Sequence, residues 1–263
     1  MKLKFTKMQG VGNDYVYVDA RDLTITQPAS LATWLADRHF GVGSDGLVLL
    51  TKSAVADIKM SMYNADGSEG LMCGNAVRCI AKYLLDQNIV ACDRVRIQTK
   101  SGVKTVRRLL DNWYSVRLGV PICDQSLYEK MGLVKVDVGN PHAVFFPQSD
   151  LAKINLARWG RRLAHSPLFP DGANVELVKV VADNTLQMRV WERGSGETLG
   201  CGTGASAAAV ASVLLGLCDR QKIIKVRLPG GELWVDYRRD HVTLMGPAVT
   251  VFTGEIEVPA EYV

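Results

Sequence analysis

The chain has 263 residues and a formal net charge of +4, with 48% hydrophobic and 22% charged residues. These values are typical of a globular chain with a substantial core. The small charge suits an anionic or zwitterionic small substrate and argues against a nucleic-acid partner, because nucleic-acid-binding surfaces concentrate basic residues. No apolar run approaches the roughly 18 residues of a membrane span, and no secretory signal opens the chain. We therefore expect a cytoplasmic protein with reduced thiols and no membrane association.

The predicted elements of the first half are mainly strands. β-branched, aromatic or alternating apolar residues predict strands at 15–19, 46–50, 58–63, 95–98 and 116–118. Helices are predicted over 29–38 and 75–85, and the second of these carries an apolar face. The Gly-Val-Pro turn at 119–121 marks a predicted boundary between a first domain, residues 1–119, and a second domain, residues 120–263.

The second half has the same character. Strands are predicted at 135–138, 143–146, 175–180, 186–191, 223–228, 233–237 and 242–245, and helices at 154–163 and 203–217. Short turns containing Gly or Asn join many of these strands, which favours an antiparallel or mixed sheet over alternating βαβ units. The predicted class is α/β of the α+β kind.

The two halves repeat a series of motifs in the same order. Val-Gly-Asn at 11–13 recurs at 138–140, and Gly-Ser at 67–68 recurs at 194–195. A Cys-Gly pair then follows in each half, at Cys73 and at Cys201, before a helix-like apolar stretch. The two copies of each motif are separated by nearly the same number of residues. This constant spacing indicates a duplication that produced two related domains.

The position of the two cysteines suggests reactivity. Each directly precedes a predicted helix, where unpaired N–H groups and the positive dipole end stabilise a thiolate and lower its pKa. The same N–H groups can hold a substrate carboxylate. Two thiols that face each other across a cleft would remove a proton from one side of a carbon and return one to the other. The alternative for either cysteine alone is a small buried residue at a tight turn.

Other motifs support competing functions less well. G-x-G-x-x-G at 41–46 precedes a predicted strand instead of following one, so it does not favour dinucleotide binding. A cysteine hydrolase would need a histidine partner; His142 alone has a motif context, whereas His39, His165 and His241 look like loop or surface residues. A hydrolase also leaves the second cysteine unexplained. No cysteine or histidine spacing suggests a metal site.

At these residues the chain resembles the diaminopimelate epimerases, which are pyridoxal-independent, two-cysteine amino-acid epimerases of lysine and peptidoglycan precursor synthesis. The resemblance covers essentially the whole length. It rests on G-V-G-N-D-Y at 10–15, R-H-F-G-V-G-S-D-G at 38–46, N-A-D-G-S-E at 64–69, M-C-G-N at 72–75, G-N-P-H-A-V at 139–144, N-V-E at 174–176, E-R-G-S-G-E-T at 192–198 and C-G-T-G at 201–204.

The resemblance implies a fold, a reaction and a set of site residues. Each domain would wrap a mixed, mostly antiparallel sheet around a central helix, with the site in the cleft between the domains, no cofactor and a homodimeric assembly. Cys73 and Cys201 would be the acid/base pair that interconverts LL-2,6-diaminoheptanedioate and its meso form. The implied substrate contacts are Asn13 on the reacting amine, Gly74, Asn75, Gly202 and Thr203 on the reacting carboxylate, and Asn64, Asn140, Asn174, Glu192 and Arg193 mainly on the distal end. His142 and Glu192 would tune the thiols.

Gly46 departs from the commoner family pattern, because some members carry there a Gln that reaches the substrate amine. Two alternatives stay open. One is a racemase of the same superfamily that acts on another amino acid, such as histidine or proline. The other is a non-catalytic small-molecule binding protein with the same fold. Asn64, Asn174 and Arg193 favour a substrate with a second amino-acid head over a monofunctional one.

Overall fold

The computed structural model describes residues 1–70, 72–164 and 166–262. His165, predicted to be a loop or surface residue, lies outside the described residues. The chain divides into two compact units: Met1–Val116 together with Pro247–Val263 forms unit 1, and Arg117–Gly246 forms unit 2. Among the described residues, none of the helices combines the length and the hydropathy that crossing a bilayer requires.

Each predicted helix and strand has a counterpart in the structure. The helices are α1 (Pro28–Ala36), α2 (Gly74–Asp86), α3 (Tyr128–Met131), α4 (Leu156–Ala164) and α5 (Gly202–Leu214). The strands are β1 (Lys2–Gly10), β2 (Asn13–Asp19), β3 (Gly46–Thr51), β4 (Ile58–Asn64), β5 (Glu69–Gly70), β6 (Arg94–Thr99), β7 (Gly102–Arg108), β8 (Trp113–Gly119), β9 (Ile122–Asp124), β10 (Leu133–Asp137), β11 (Pro141–Phe145), β12 (Asn174–Ala182), β13 (Thr185–Glu192), β14 (Gly196–Thr198), β15 (Ile224–Leu228), β16 (Gly231–Asp236), β17 (Val242–Pro247) and β18 (Val249–Glu257). Of these elements, β1, β5, β7, β9, β14, β18 and α3 were not predicted.

Unit 1 is built on a mixed sheet in which antiparallel pairs dominate. β1 pairs antiparallel with β2, β2 runs parallel to β3, and β3 pairs antiparallel with β4. β4 then pairs antiparallel with β5 and parallel with β6, and β6, β7 and β8 continue as an antiparallel meander.

Unit 2 repeats this order of pairings. β10 pairs antiparallel with β11, β11 runs parallel to β12, and β12 pairs antiparallel with β13. β13 pairs antiparallel with β14 and parallel with β15, and β15, β16 and β17 continue antiparallel. The same succession of parallel and antiparallel pairs in both units is what a duplicated chain predicts, and the α+β fold class is confirmed.

One helix in each unit is buried along nearly its whole surface. α2 contacts β1, β6, β7 and β18, and it buries Asn75 and Arg78 as well as its apolar residues. α5 contacts β10, β11, β12, β13, β15 and β16, and small side chains from Gly202 to Ser212 are buried on every side of it. A helix that is apolar all round belongs in a core. The alanine-rich sequence of α5 therefore allows the surrounding strands to approach it closely.

The C-terminal strand does not belong to the domain in which the predicted boundary placed it. Residues 120–263 were expected to form the second domain, but Pro247–Val263 belongs to unit 1. The reason is β18, which pairs antiparallel with β1 from Lys2↔Glu257 to Gln9↔Val249. The core of unit 1 also includes Val258 beside Leu3 and Phe5.

Candidate active site

Cys73 lies at the start of α2 in unit 1. It is the N-cap residue, with an extended backbone (φ −130°, ψ 124°), and its side chain is half-buried. Its Sγ donates a hydrogen bond to Oδ1 of Asn13, at 3.3 Å. The first N–H groups of a helix have no partner within the helix. Cys73 therefore lies at the start of the helix, directly before Gly74 and Asn75.

Asn13 is held in one orientation by the residues around it. Its Nδ2 donates to Oδ2 of Asp45 at 2.9 Å, and its Oδ1 accepts from Nδ2 of Asn75 at 3.2 Å as well as from Cys73. Burial raises the pKa of Asp45, and Arg38 lies 3.2 Å from its other oxygen. Sequence reasoning did not single out Asp45, although its place in the motif at 38–46 was a usable signal.

Arg78 lies beneath the Cys73 site and is fully buried. Its Nη2 donates to Oδ1 of Asn75 at 2.7 Å, and its Nη1 donates to the backbone oxygen of Gly74 at 3.0 Å. Its Nε donates to the backbone oxygen of Pro247 at 3.3 Å. Burial lowers the pKa of Arg78. The guanidinium therefore fixes the first turn of α2 from inside the core, a role that the sequence analysis missed.

Asn64 ends β4 near a tight turn. Its backbone N–H donates to the backbone oxygen of Ser68 at 2.8 Å, and its Nδ2 donates to Oγ of the same residue at 2.9 Å. Gly46 pairs with Asn64 across the sheet. A Cβ at Gly46 would collide with the backbone oxygen of Tyr63. The local backbone therefore leaves no room there for the longer side chain that some relatives were expected to carry.

Cys201 is the N-cap residue of α5 in unit 2 and is 5% exposed. Its Sγ accepts a hydrogen bond from the backbone N–H of Gly204 at 3.3 Å and lies 3.4 Å from Oγ1 of Thr203. Nδ2 of Asn174 lies 3.8 Å from the same sulfur. Cys201 therefore lies at the helix start that the sequence predicts, with two N–H donors and the Thr203 hydroxyl around its sulfur.

The pKa of the Cys201 thiol is shifted in the direction opposite to the expected one. The helix start was expected to lower the pKa of this thiol, but burial raises it well above its usual value. The nearby charges of Glu192 and Glu176 raise it further and outweigh the hydrogen bonds from Thr203 and Gly204. In this environment Cys201 is a protonated thiol at neutral pH.

His142 and Glu176 form a fully buried pair close to Cys201. Nδ1 of His142 lies 2.7 Å from Oε1 of Glu176, and Nε2 lies 3.2 Å from Oδ1 of Asn140. The imidazole is thus held between a carboxylate and an amide. Asn140, which was expected to contact substrate, has its oxygen directed at His142. Glu176 was part of a recognised motif but was not predicted as a site residue.

Glu192 is the last residue of β13, and Arg193 directly follows it. Burial raises the pKa of Glu192, while hydrogen bonds from Thr198 and Cys201 oppose that shift; Oγ1 of Thr198 lies 2.6 Å from its Oε1. The backbone N–H of Arg193 donates to Oδ1 of Asn174 at 2.9 Å, and its exposed guanidinium contacts the backbone oxygen of Asp171. Within the described residues, no cluster of three or more His, Cys, Asp or Glu side chains is arranged to hold a metal ion.

Comparison with known protein families shows to which family the chain belongs. The family model described as diaminopimelate epimerase matches residues 5–121 and 134–251. The chain belongs to the diaminopimelate epimerase family. A diaminopimelate epimerase from Desulfovibrio desulfuricans is 44% identical over 96% of this chain and 98% of its own length.

Solved structures share the fold of this diaminopimelate epimerase family member. A phenazine biosynthesis protein of the PhzF family from Bacillus anthracis matches with a TM-score of 0.77 at 17% identity, covering 98% of this chain and all of that one. A probable proline racemase from Agrobacterium radiobacter matches with a TM-score of 0.69 at 14% identity, covering 98% and 93%. At these identities the similarity concerns the fold.

Proposed function

We propose that the chain interconverts LL-2,6-diaminoheptanedioate and meso-2,6-diaminoheptanedioate by two-base proton transfer, with Cys73 and Cys201 as the bases. The observation that carries this proposal is the duplicated placement of the two cysteines. Each is the N-cap residue of the buried helix of its unit, beside a glycine and a polar residue. The family to which the chain belongs makes this substrate the first to test.

The chemistry requires one thiolate and one thiol at the same carbon. The thiolate takes the α-proton as the C–H bond breaks, and the thiol delivers its proton to the opposite face of the carbanion. The N–H groups at Gly74–Asn75 and Gly202–Thr203 hold the reacting carboxylate, because a helix start attracts anions. They stabilise the negative charge that develops on deprotonation. Asn13 accepts from the reacting amine in this proposal.

The second unit contributes more to the choice of substrate. Glu192 is suited to the distal ammonium, and the exposed guanidinium of Arg193 is suited to a bidentate contact with the distal carboxylate. Asn64, Asn140 and Asn174 complete the set of polar side chains assigned to recognition. A substrate with two amino-acid heads uses all of these groups, whereas a monofunctional amino acid leaves the distal ones without a partner.

The proposal also covers the cofactor requirement, the cellular location and the assembly of the enzyme. The enzyme uses no pyridoxal or other cofactor, because the thiol pair supplies both proton-transfer groups. It acts in the cytoplasm, in lysine and peptidoglycan precursor synthesis, and assembles as a homodimer.

The proposal is tested with the variants Cys73→Ala and Cys201→Ala. The full-length protein is incubated with the LL isomer in D2O, and chiral chromatography with mass detection follows formation of the meso isomer and entry of deuterium at the α-carbon. Each variant is expected to lose interconversion by at least about a thousandfold, the order of loss for an essential acid or base. Cys92→Ala and Cys123→Ala are the control thiol variants and should keep full activity.

Three outcomes contradict parts of the proposal. Full activity in either alanine variant would refute the two-thiol mechanism. Faster isomerisation of free proline or histidine than of diaminopimelate would assign the chain to a racemase of another amino acid. Ligand binding without deuterium entry in the unmodified protein would identify a non-catalytic binding protein.

A further inference from the structure

The carboxyl group of Asp45 accepts hydrogen bonds from three donors. Its Oδ2 accepts from Nδ2 of Asn13 at 2.9 Å and from the backbone N–H of Asp14 at 3.1 Å. Its Oδ1 accepts from Nη2 of Arg38 at 3.2 Å. An ionised carboxylate is acceptor-only, whereas a protonated carboxyl group also carries a donor. The three donors therefore fit an ionised Asp45.

Two cations compensate the negative charges in this part of unit 1. The buried Lys7 lies 2.6 Å from Oδ2 of Asp14. Nη2 of Arg38 bridges the two carboxylates, at 3.5 Å from Oδ1 of Asp14 and 3.2 Å from Oδ1 of Asp45. Lys7 also donates to the backbone oxygen of Gly43, two residues before Asp45. Charges that are partly withdrawn from water persist where opposite charges and hydrogen bonds compensate them. The cluster therefore holds Asp45 in place as an anion.

A second charged group fixes the same hydrogen-bond chain from its other end. Nη2 of Arg78 donates to Oδ1 of Asn75 at 2.7 Å. Because a guanidinium can only donate, Nδ2 of Asn75 points the other way, and it donates to Oδ1 of Asn13 at 3.2 Å. Nδ2 of Asn13 then donates to Asp45. The oxygen and nitrogen of a side-chain amide are assigned from such partners. A donor-only group at one end and an acceptor-only group at the other allow a single assignment for both amides.

The direction of this chain determines which atom Asn13 presents to the candidate site. Its nitrogen is bound to Asp45, so its oxygen faces Cys73 and Asn75. Sγ of Cys73 donates to that oxygen at 3.3 Å. In the reverse orientation Asn13 would direct an N–H at the thiol and could not accept a hydrogen bond from an amine. The carboxylate of Asp45 therefore acts on the site through Asn13.

The second unit has no carboxylate at the equivalent position. Asp45 directly precedes β3, and Ala173 directly precedes β12, the strand that takes the same place in the repeated order of pairings. Asn140, the counterpart of Asn13 in the repeated Val-Gly-Asn motif, directs its Oδ1 at Nε2 of His142 instead, at 3.2 Å. The two units thus orient their corresponding amides by different means.

We propose that Asp45 is a positioning residue that fixes the side-chain amide of Asn13 with its oxygen toward Cys73. The inference rests on the proposed function for its consequence, which is that the fixed oxygen accepts a hydrogen bond from the reacting amine. An acceptor that is oriented before the substrate binds does not have to reorganise during the reaction.

The first measurement requires neither turnover nor a variant. Nuclear magnetic resonance of the full-length protein follows the carboxyl carbon of Asp45 and the Nδ2 protons of Asn13 as the pH is lowered. Burial raises the pKa of Asp45, so its protonation begins above the usual range of an aspartate. We expect both signals to change with a common midpoint, because protonation of Asp45 weakens the bond that Asn13 donates. Asn13 protons that do not follow the titration of Asp45 overturn the proposal.

Variants test the same contact at neutral pH. Asp45→Ala copies Ala173 and removes the acceptor, whereas Asp45→Asn keeps an acceptor oxygen without the charge. Asp22→Ala, which removes an exposed aspartate paired with Lys52, is the matched control. In Asp45→Ala the Nδ2 protons of Asn13 should exchange with water at least about tenfold faster, as expected for loss of a hydrogen bond to a charged group. Asp45→Asn should give an intermediate rate, and Asp22→Ala the rate of the unmodified protein.

Turnover of the LL isomer shows whether this orientation serves the reaction. We expect kcat/KM to fall at least about tenfold in Asp45→Ala, because a displaced polar contact misaligns the substrate, and to recover partly in Asp45→Asn. Unchanged exchange or unchanged kcat/KM in folded Asp45→Ala overturns the proposal. An unmodified protein that shows the common midpoint but does not interconvert the isomers would refute the proposed function while leaving the contact between Asp45 and Asn13 intact.

Discussion

The residues around Cys201 suppress the ionisation of its thiol. Cys201 is almost fully buried beside two carboxylates, and both the burial and the charges of Glu192 and Glu176 raise the pKa of its thiol. A thiol whose ionisation is suppressed in this way is suited to donate a proton.

Replacing Glu192 by Gln should therefore make Cys201 more acidic. The substitution removes a negative charge next to the sulfur, so the thiolate becomes easier to form and alkylation begins at a lower pH. We expect the pH midpoint of Cys201 alkylation to fall by about one unit, which is tenfold more thiolate at a given pH below the midpoint. Peptide-resolved mass spectrometry after iodoacetamide treatment measures this shift.

Glu197→Gln is the matched control, because Glu197 lies on the adjacent strand β14 but pairs with Arg189. Its Cys201 profile should equal that of the unmodified protein. A midpoint that stays constant or rises in Glu192→Gln would show that Glu192 does not hold this thiol in its protonated form.

The sequence predicts the reactive residues better than their surroundings. Cys73 and Cys201 were located at helix starts because glycine and an apolar stretch follow each of them. Arg78 and Glu176 were not predicted as site residues, since each lies within a strand or helix whose pattern is otherwise that of a core element. Their role depends on which groups become buried together, and a residue pattern does not encode that pairing. The sign of the Cys201 shift was missed for the same reason.

At the scale of elements, the first turn of α5 is tightly packed against its sheet. A Cβ at Gly204 would lie 2.8 Å from Oε1 of Glu176 and 3.3 Å from Cβ of Cys201. Glu176 is fully buried and bound to His142, so it cannot move aside. In α2 the equivalent position is Ala76. The register of the parallel strand pairs places Val48, a smaller apolar residue, where unit 2 has Glu176.

Gly204→Ala should consequently destabilise the protein by about 1–3 kcal/mol, the usual range for overpacking a core. Urea unfolding measures the change in the free energy of unfolding. The double variant Gly204→Ala, Glu176→Val reproduces the arrangement of the first unit and removes the clash. The two changes together should therefore cost at least ~1 kcal/mol less than the sum of the single changes. If the two free-energy changes were strictly additive, the contact with Glu176 would not be the reason that position 204 requires a glycine.

Burial accounts for several of the correctly predicted strands, although the largely buried β1 was not predicted. β3, β4, β12 and β13 were all predicted within two residues of their observed ends, because their apolar residues bury against α1, α4 or α5. β18 was not predicted. Most of its residues are exposed, so burial imposes little apolar alternation on it. Its place is determined by backbone pairing with β1, which carries no side-chain signature.

At the scale of the whole molecule, the chain is two copies of one topology, and its last strand belongs to the first copy. β18 pairs along nearly the full length of β1, and Val258 lies in the core of unit 1. The backbone N–H of Val258 also donates to the backbone oxygen of Met1 at 2.8 Å. Unit 1 therefore completes its sheet only after unit 2 has been synthesised.

Removal of residues 249–263 should unfold unit 1 selectively. The truncation deprives β1 of its β18 partner and opens the core around Leu3, so the amides of β1 and β2 should lose their protection against hydrogen exchange. Those of β12 and β13 should retain theirs, because every strand that pairs with them lies within Arg117–Gly246. Peptide-resolved exchange measured by mass spectrometry distinguishes the two units. Removal of residues 259–263 keeps β18 and is the control, with protection of β1 preserved. Full protection of β1 in the longer truncation would show that unit 1 folds without the C-terminal strand.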